Sequence, residues 1–133
     1  MCENKGIKVF RLNNIPSKVG KWGTILKIVC DEKTPTESLM VGVVTINSNM
    51  KITAHYHNIE ELQYILYGKG IVYDRKGKGY SIKQGDFVYC PSKEIGAHSF
   101  ENTGNEPFVI LYVYPSPGGK SPDVITYEKR DCN

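Results

Sequence analysis

Short runs of β-branched and aromatic residues, each closed by glycine, proline or asparagine, follow one another along the chain. Runs of this kind read as strands, because branched and flat side chains pack well on a pleated surface. They fall at residues 7–12, 24–30, 39–46, 51–57, 61–67, 71–74, 80–83, 87–90, 98–101 and 108–114, with a further short run at 124–127. The clearest turns between them are Asn47-Ser48-Asn49, Gly68-Lys69-Gly70, Lys76 to Gly79 and Asn102 to Asn105. Strands at so regular a spacing predict an all-β sandwich or barrel. One segment admits a second reading. Asn58 could cap a helix, Gly68 could end it, and Ile59, Leu62 and Leu66 would share its apolar face.

A chain of 133 residues is one domain by length. It is long enough to bury a core without disulfide staples. Seventeen Lys and Arg against 14 Asp and Glu leave a formal charge of +3. The lysines are scattered, and the three arginines (Arg11, Arg75, Arg130) do not cluster. Binding to a phosphate backbone needs clustered cations, so nucleic acid is not an expected partner. No apolar run approaches the ~20 residues of a membrane helix. The first residues lack the apolar stretch of a signal peptide, so a cytoplasmic protein is expected. The four cysteines stand at 2, 30, 90 and 132, without a CxxC pair. Free thiols are expected, with Cys30 and Cys90 as buried small apolar groups.

The three histidines carry the chemical signal. His55 and His57 are two apart, so on a strand both imidazoles point to one side. Glu61 follows after a short turn, at the start of the next strand, and His98 opens a strand about forty residues on. Three imidazoles and a carboxylate suit Fe(II) or Mn(II) best here, with Zn(II), Ni(II) or Co(II) as alternatives. One or two coordination positions would remain open. Glu60 could stand in for Glu61, but only Glu61 keeps six residues before Gly68.

These residues resemble the two motifs of the cupin superfamily. In HYHNIEELQYILYG, His55 and His57 precede Glu61 by a three-residue gap, and six residues lead to Gly68. Ser48 or Asn49 stands where that motif opens on glycine. In GDFVYCPSKEIGAHSFEN, Gly85, Pro91, His98 and Asn102 match the second motif, with the Pro91–His98 stretch two residues longer and without its PxG. The wording around both motifs is similar to the germin and oxalate-decarboxylase branch. The resemblance covers roughly residues 39–115 and implies a jelly-roll (double-stranded β-helix) barrel. It divides the single domain into N-terminal strands (1–38), a barrel core (39–115) and a polar C-terminal tail (116–133). It also implies one divalent ion per chain on His55, His57, Glu61 and His98, a small-molecule ligand, and a homodimer.

Strand parity extends the site. Thr53 shares a face with His55 and His57, and Gln63 and Ile65 share the face of Glu61, so Thr53, Gln63 and Ile65 are expected at the substrate pocket. Cys90, just before Pro91 on the strand leading to His98, is a further pocket candidate, with core packing as the alternative. Tyr112 and Tyr114 share one face of their strand, which parity alone does not orient. Gln63 and Glu94 are the candidates for a catalytic role. Where the oxalate branch has a substrate-gripping Arg, this chain has Ile52, with Lys51 beside it, which disfavours oxalate chemistry. The expected function is that of a metal-dependent enzyme on a small polar or carboxylated molecule. Dioxygenation leads, and isomerisation, decarboxylation or elimination by a lyase follow. A non-catalytic module that binds or senses a small ligand is the alternative.

Overall fold

We describe residues 6–34 and 36–128 of a computed structural model. Cys2, Cys132 and Arg130 lie outside them. The strands are β1 (Lys18–Val19), β2 (Ile25–Cys30), β3 (Met40–Ile46), β4 (Lys51–Tyr56), β5 (Glu61–Tyr67), β6 (Lys69–Tyr73), β7 (Gly79–Lys83), β8 (Phe87–Cys90), β9 (His98–Glu101), β10 (Phe108–Tyr114) and β11 (Ile125–Thr126). They form two antiparallel sheets, ordered β1-β2-β3-β10-β5-β8 and β11-β4-β9-β6-β7. Consecutive strands β3 and β4, β4 and β5, and β5 and β6 lie in opposite sheets. The chain therefore winds back and forth between the layers, as a jelly roll does.

The core lies between the sheets. Val44, Ile46, Ile52, Ile65, Val72, Ile82, Phe100, Phe108 and Ile110 form one buried cluster drawn from both. Strand β5 shows how patterning resolves the ambiguous segment. Glu61, Gln63 and Ile65 are buried while Leu62 is exposed, an alternation of period two that no helix produces. Its ladders with β10 and β8 satisfy the backbone on both sides. The glycine at 68, read as a possible helix cap, instead takes φ 83° at the turn into β6.

Asn102 of the second motif has a structural task. Its amide nitrogen donates to the carbonyls of Ile46 and Glu106, both at 2.8 Å, and its oxygen accepts from the Gly104 N–H. One buried side chain thus ties the β9–β10 turn to the end of β3.

The structure corrects the sequence reading at the N-terminal end and bears out the short run at 124–127. Residues 7–11 form no strand, and Leu12–Asn14 is a single 3-10 turn. Ile7 is 97% exposed and Val9 67%. Local β-propensity is not enough where no ladder forms to pair the backbone. The tail is the reverse case. Its short strand β11 pairs with β4, Ile125 opposite Tyr56 and Thr126 opposite His55, and the Tyr127 N–H donates to the Ala54 carbonyl at 3.0 Å. Cys30 and Cys90 are buried free thiols. No helix among the described residues is long and apolar enough to cross a membrane.

Candidate metal centre

Cross-strand register brings the histidines together. β4 and β9 pair with His55 directly opposite His98, and their rings lie 4.6 Å apart. His57 stands just past the end of β4, 5.0 Å from the His55 ring. Glu61 opens β5 in the other sheet and points back across the barrel. Its Oε1 lies 3.6 Å from His57 Nε2 and 3.4 Å from His98 Nε2. The ligand nitrogens of His55, His57 and His98 all fall within 4.8 Å of one another.

Each imidazole is held from behind. Nδ1 of His55 meets the Thr53 carbonyl at 2.7 Å, Nδ1 of His57 the Asp123 carbonyl at 2.8 Å, and Nδ1 of His98 the Gly96 carbonyl at 2.8 Å. A carbonyl only accepts, so each Nδ1 carries hydrogen and each Nε2 is left to face the centre. Glu61 Oε1 is the complementary observation. It is the one fully enclosed side-chain polar atom among the described residues with no hydrogen-bond partner. An orphaned carboxylate oxygen beside three inward Nε2 atoms fits a divalent cation.

The electrostatics agree. Burial pushes the His55 pKa down to about 4, assisted by the charge of His98. Burial likewise lowers that of His57, against the pull of Glu61. His98 goes the other way: burial opposes its charge, but Cys90 and Glu61 as acceptors push its pKa up to about 10. Burial works against the Glu61 carboxylate too, yet the nearby His98, with help from His57 and Tyr114, holds its pKa below the ordinary value. Without metal, the site therefore stores one proton between His98 and Glu61.

The longer Pro91–His98 stretch proves to be part of the scaffold. It carries a 3-10 turn, Glu94–Gly96, entered through Lys93 at φ 69°. The Lys93 N–H donates to the His57 carbonyl at 2.7 Å, so this loop braces two histidines at once. A side chain at Gly96 would collide with the Pro91 backbone.

The centre opens on a cavity of about 250 Å³ between the sheets. Its wall includes His55, His57, Glu61, Gln63, His98, Tyr112 and Tyr114, set among Met40, Val44, Ile52, Phe100 and Ile110. Lys18 and Lys21, both exposed, line its outer part. Gln63 is where parity placed it, 2% exposed, and its amide oxygen accepts from the Cys90 thiol at 3.6 Å.

Four expectations are corrected. Thr53 is exposed and absent from the cavity wall. The β4–β9 register shifts between Ile52 and His55, so Ile52 faces inward in its place. Ile65 faces inward but packs into the apolar core rather than the cavity. Cys90 is buried behind Gln63 and also stays off the wall, although its sulfur lies within 4.8 Å of ligand atoms of Glu61 and His98. Glu94 is exposed on the 3-10 turn and does not line the cavity. Lys51, the possible substitute for an Arg, turns outward over the Tyr73 ring at 4.7 Å.

Sequence reasoning missed Trp22 and the Asp123 carbonyl. Trp22 adopts the left-handed region at φ 64° and sets its indole 5.0 Å from the His55 ring. A bulky residue there is strained, and such strain persists where the surroundings demand it. A single tryptophan beside a glycine in a turn was the available signal.

Comparison with known proteins places these features. The cupin domain model matches residues 42–114. Glucose-6-phosphate isomerase of Thermococcus gammatolerans is 38% identical over 72 residues, which cover 49% of this chain and 37% of that protein. The chain thus matches little more than a third of that curated relative. The polyketide cyclase RemF of Streptomyces resistomycificus superposes with a TM-score of 0.80 over 95% of this chain and 89% of its own, at 15% identity. A predicted oxalate decarboxylase of Thermotoga maritima gives a TM-score of 0.67 at 25% identity, covering 82% of this chain and 99% of its own.

Proposed function

Since the chain belongs to the cupin domain family, we propose that it is a metal-dependent enzyme acting on a small oxygen-rich anion inside the barrel. One divalent ion, Fe(II) or Mn(II) in the first place, is held by His55, His57, Glu61 and His98. The observation that carries this reading is the convergence of three carbonyl-anchored imidazoles on the unpartnered Glu61 oxygen. When bound, the ion supplies Lewis acidity, or a meeting point for O2 and substrate.

The chain's own residues do the rest. Lys18 and Lys21 set a positive field at the outer cavity and draw in a carboxylate or phosphate. Gln63, fixed by Cys90, offers its amide N–H to a substrate oxygen. Met40, Val44, Phe100 and Ile110 keep the floor dry, which strengthens every polar contact above it. With iron, dioxygenation is the leading reaction. With Mn, Zn or Ni, isomerisation, decarboxylation or lyase chemistry leads, and the sugar-phosphate isomerase among the relatives supports the first of these.

A second reading, a module that binds or senses a ligand without turnover, draws on one observation. Among the described cavity residues the one carboxylate is Glu61, a ligand in this reading, which leaves none to act as a general base. We also propose a homodimer, because Phe87, Tyr89 and Leu62 expose 66, 60 and 44% of their surface around the β8 edge. Light scattering tests that, and a monomer refutes it.

The functional test is metal content, as purified and after anaerobic Fe(II) or Mn(II) loading, with His98→Ala as control. About one ion per chain, lost in the variant, supports the four-ligand centre. Turnover of small carboxylates or sugar phosphates, or metal-dependent O2 uptake, then separates enzyme from binding module. No metal under any condition refutes the enzyme reading.

A further inference from the structure

We propose that Tyr114 supplies a fifth protein ligand to the ion, through its phenolic oxygen. This rests on the metal reading above and goes beyond the His55, His57, Glu61 and His98 set. Tyr114 ends β10, is 7% exposed and lines the cavity. Its hydroxyl lies 3.2 Å from His57 Nε2, the nitrogen left facing the centre once Nδ1 has donated to Asp123. The ring stands edge-on to His57 at 5.1 Å between centroids.

The spacing is what ligation requires. Donor atoms ~2.1 Å from an octahedral ion sit roughly 3 Å from their neighbours in the shell. The two edges that join Glu61 to the imidazoles measure 3.4 and 3.6 Å. The edge from the Tyr114 oxygen to His57 Nε2 is shorter than either. An ion held by His57 Nε2 would take up the lone pair this hydroxyl faces, leaving the Glu61 carboxylate as its other neighbour. With the ion in place the phenolic oxygen would be positioned to ligate as phenolate, its proton passing to solvent.

Tyr112 serves as the internal comparison. Its ring is 5.6 Å from that of Tyr114, but its hydroxyl packs over Gly42 on the neighbouring strand. With five protein donors, an octahedral ion would keep one open position. A substrate then binds through one atom, and a substrate that chelates through two must first displace the phenolate.

The test uses iron as the probe. The protein is loaded anaerobically with Fe(II), oxidised in place to Fe(III) and examined by visible absorption and resonance Raman, with iron counted in the same sample. A phenolate-to-iron charge-transfer band with tyrosinate Raman modes is expected in the wild type and in Tyr112→Phe. In Tyr114→Phe it is expected to vanish while one iron per chain is retained. Iron bound without the band, or a band that survives Tyr114→Phe, overturns the proposal and leaves the four-ligand centre standing. No iron bound at all refutes the metal reading itself, and the proposal with it. Should Tyr114→Phe fail to fold, the tyrosinate modes of the wild type against Tyr112→Phe decide.

Discussion

Removing the tail after Lys120 should weaken metal binding, although the tail contributes no ligand. Besides the cavity-wall residues Ser121, Pro122 and Val124, three contacts near the ligands go with it. His57 Nδ1 loses the Asp123 carbonyl at 2.8 Å, β4 loses the β11 ladder opposite Tyr56 and His55, and the Ala54 carbonyl loses the Tyr127 N–H. The first loss matters most. Once nothing accepts from Nδ1, the imidazole hydrogen is free to move to Nε2, the atom that must bind the ion, and the ring is free to turn. Loss of an outer partner of this kind costs 10–100-fold in metal affinity, or about 1.4–2.7 kcal/mol. The lost backbone hydrogen bonds add roughly 0.5–1.5 kcal/mol each to the destabilisation of the metal-free fold. Competition against a chromophoric chelator measures the first effect, and a thermal melt of metal-free protein the second. If the truncated chain folds and binds metal within twofold of the full chain, the Asp123 carbonyl does not orient His57 and the reasoning fails.

Metal affinity should rise with pH. His98 in the metal-free site keeps its proton until about pH 10, so at neutrality ligation must expel it. One displaced proton makes the apparent dissociation constant fall roughly tenfold per pH unit, about 1.4 kcal/mol, through the neutral range; a flat profile would remove the stored proton from the picture. Phe108→Ala should destabilise by about 3–5 kcal/mol in denaturant melts, because Phe108 is 0% exposed and packs on Phe100 at 6.3 Å. A loss under about 1 kcal/mol would mean the core cluster is looser than its burial implies. Gly42→Ala should cost about 1–3 kcal/mol, since the new methyl meets the Tyr112 hydroxyl and ring. Adding Tyr112→Phe should restore part of that loss, and equal stability of the single and double variants would place the strain elsewhere.

The convergence of the three histidines and Glu61 was legible because its signal is local and periodic. His55 and His57 share a face by parity, Glu61 follows within one turn, and β9 delivers His98 to the adjacent strand. The core strands were legible for the same reason. Strands β5, β8, β9 and β10 occupy the stretches at 61–67, 87–90, 98–101 and 108–114 where they were expected. What stayed hidden depends on partners distant in sequence. A carbonyl 66 residues away orients His57, and no side-chain pattern announces it. The facing of Tyr112 and Tyr114 depends on which sheet face β10 turns inward, which alternation alone leaves open. Residues 7–11 carry strand-like composition without a neighbour to pair with. Thr53 was misplaced because parity counting assumes an unbroken ladder.

That break between Ile52 and His55 separates the strand into two phases. Before it, the inward position belongs to Ile52 and the apolar core; after it, to His55 and His57 and the chemistry. An uninterrupted pleat would lock the two together, so that shifting one inward residue would carry the other with it. With a phase slip between them, the strand behaves like two spliced reading frames. A substitution at Ile52 can then change the apolar floor without turning the imidazoles, and one at His55 can change the donor set without moving Ile52.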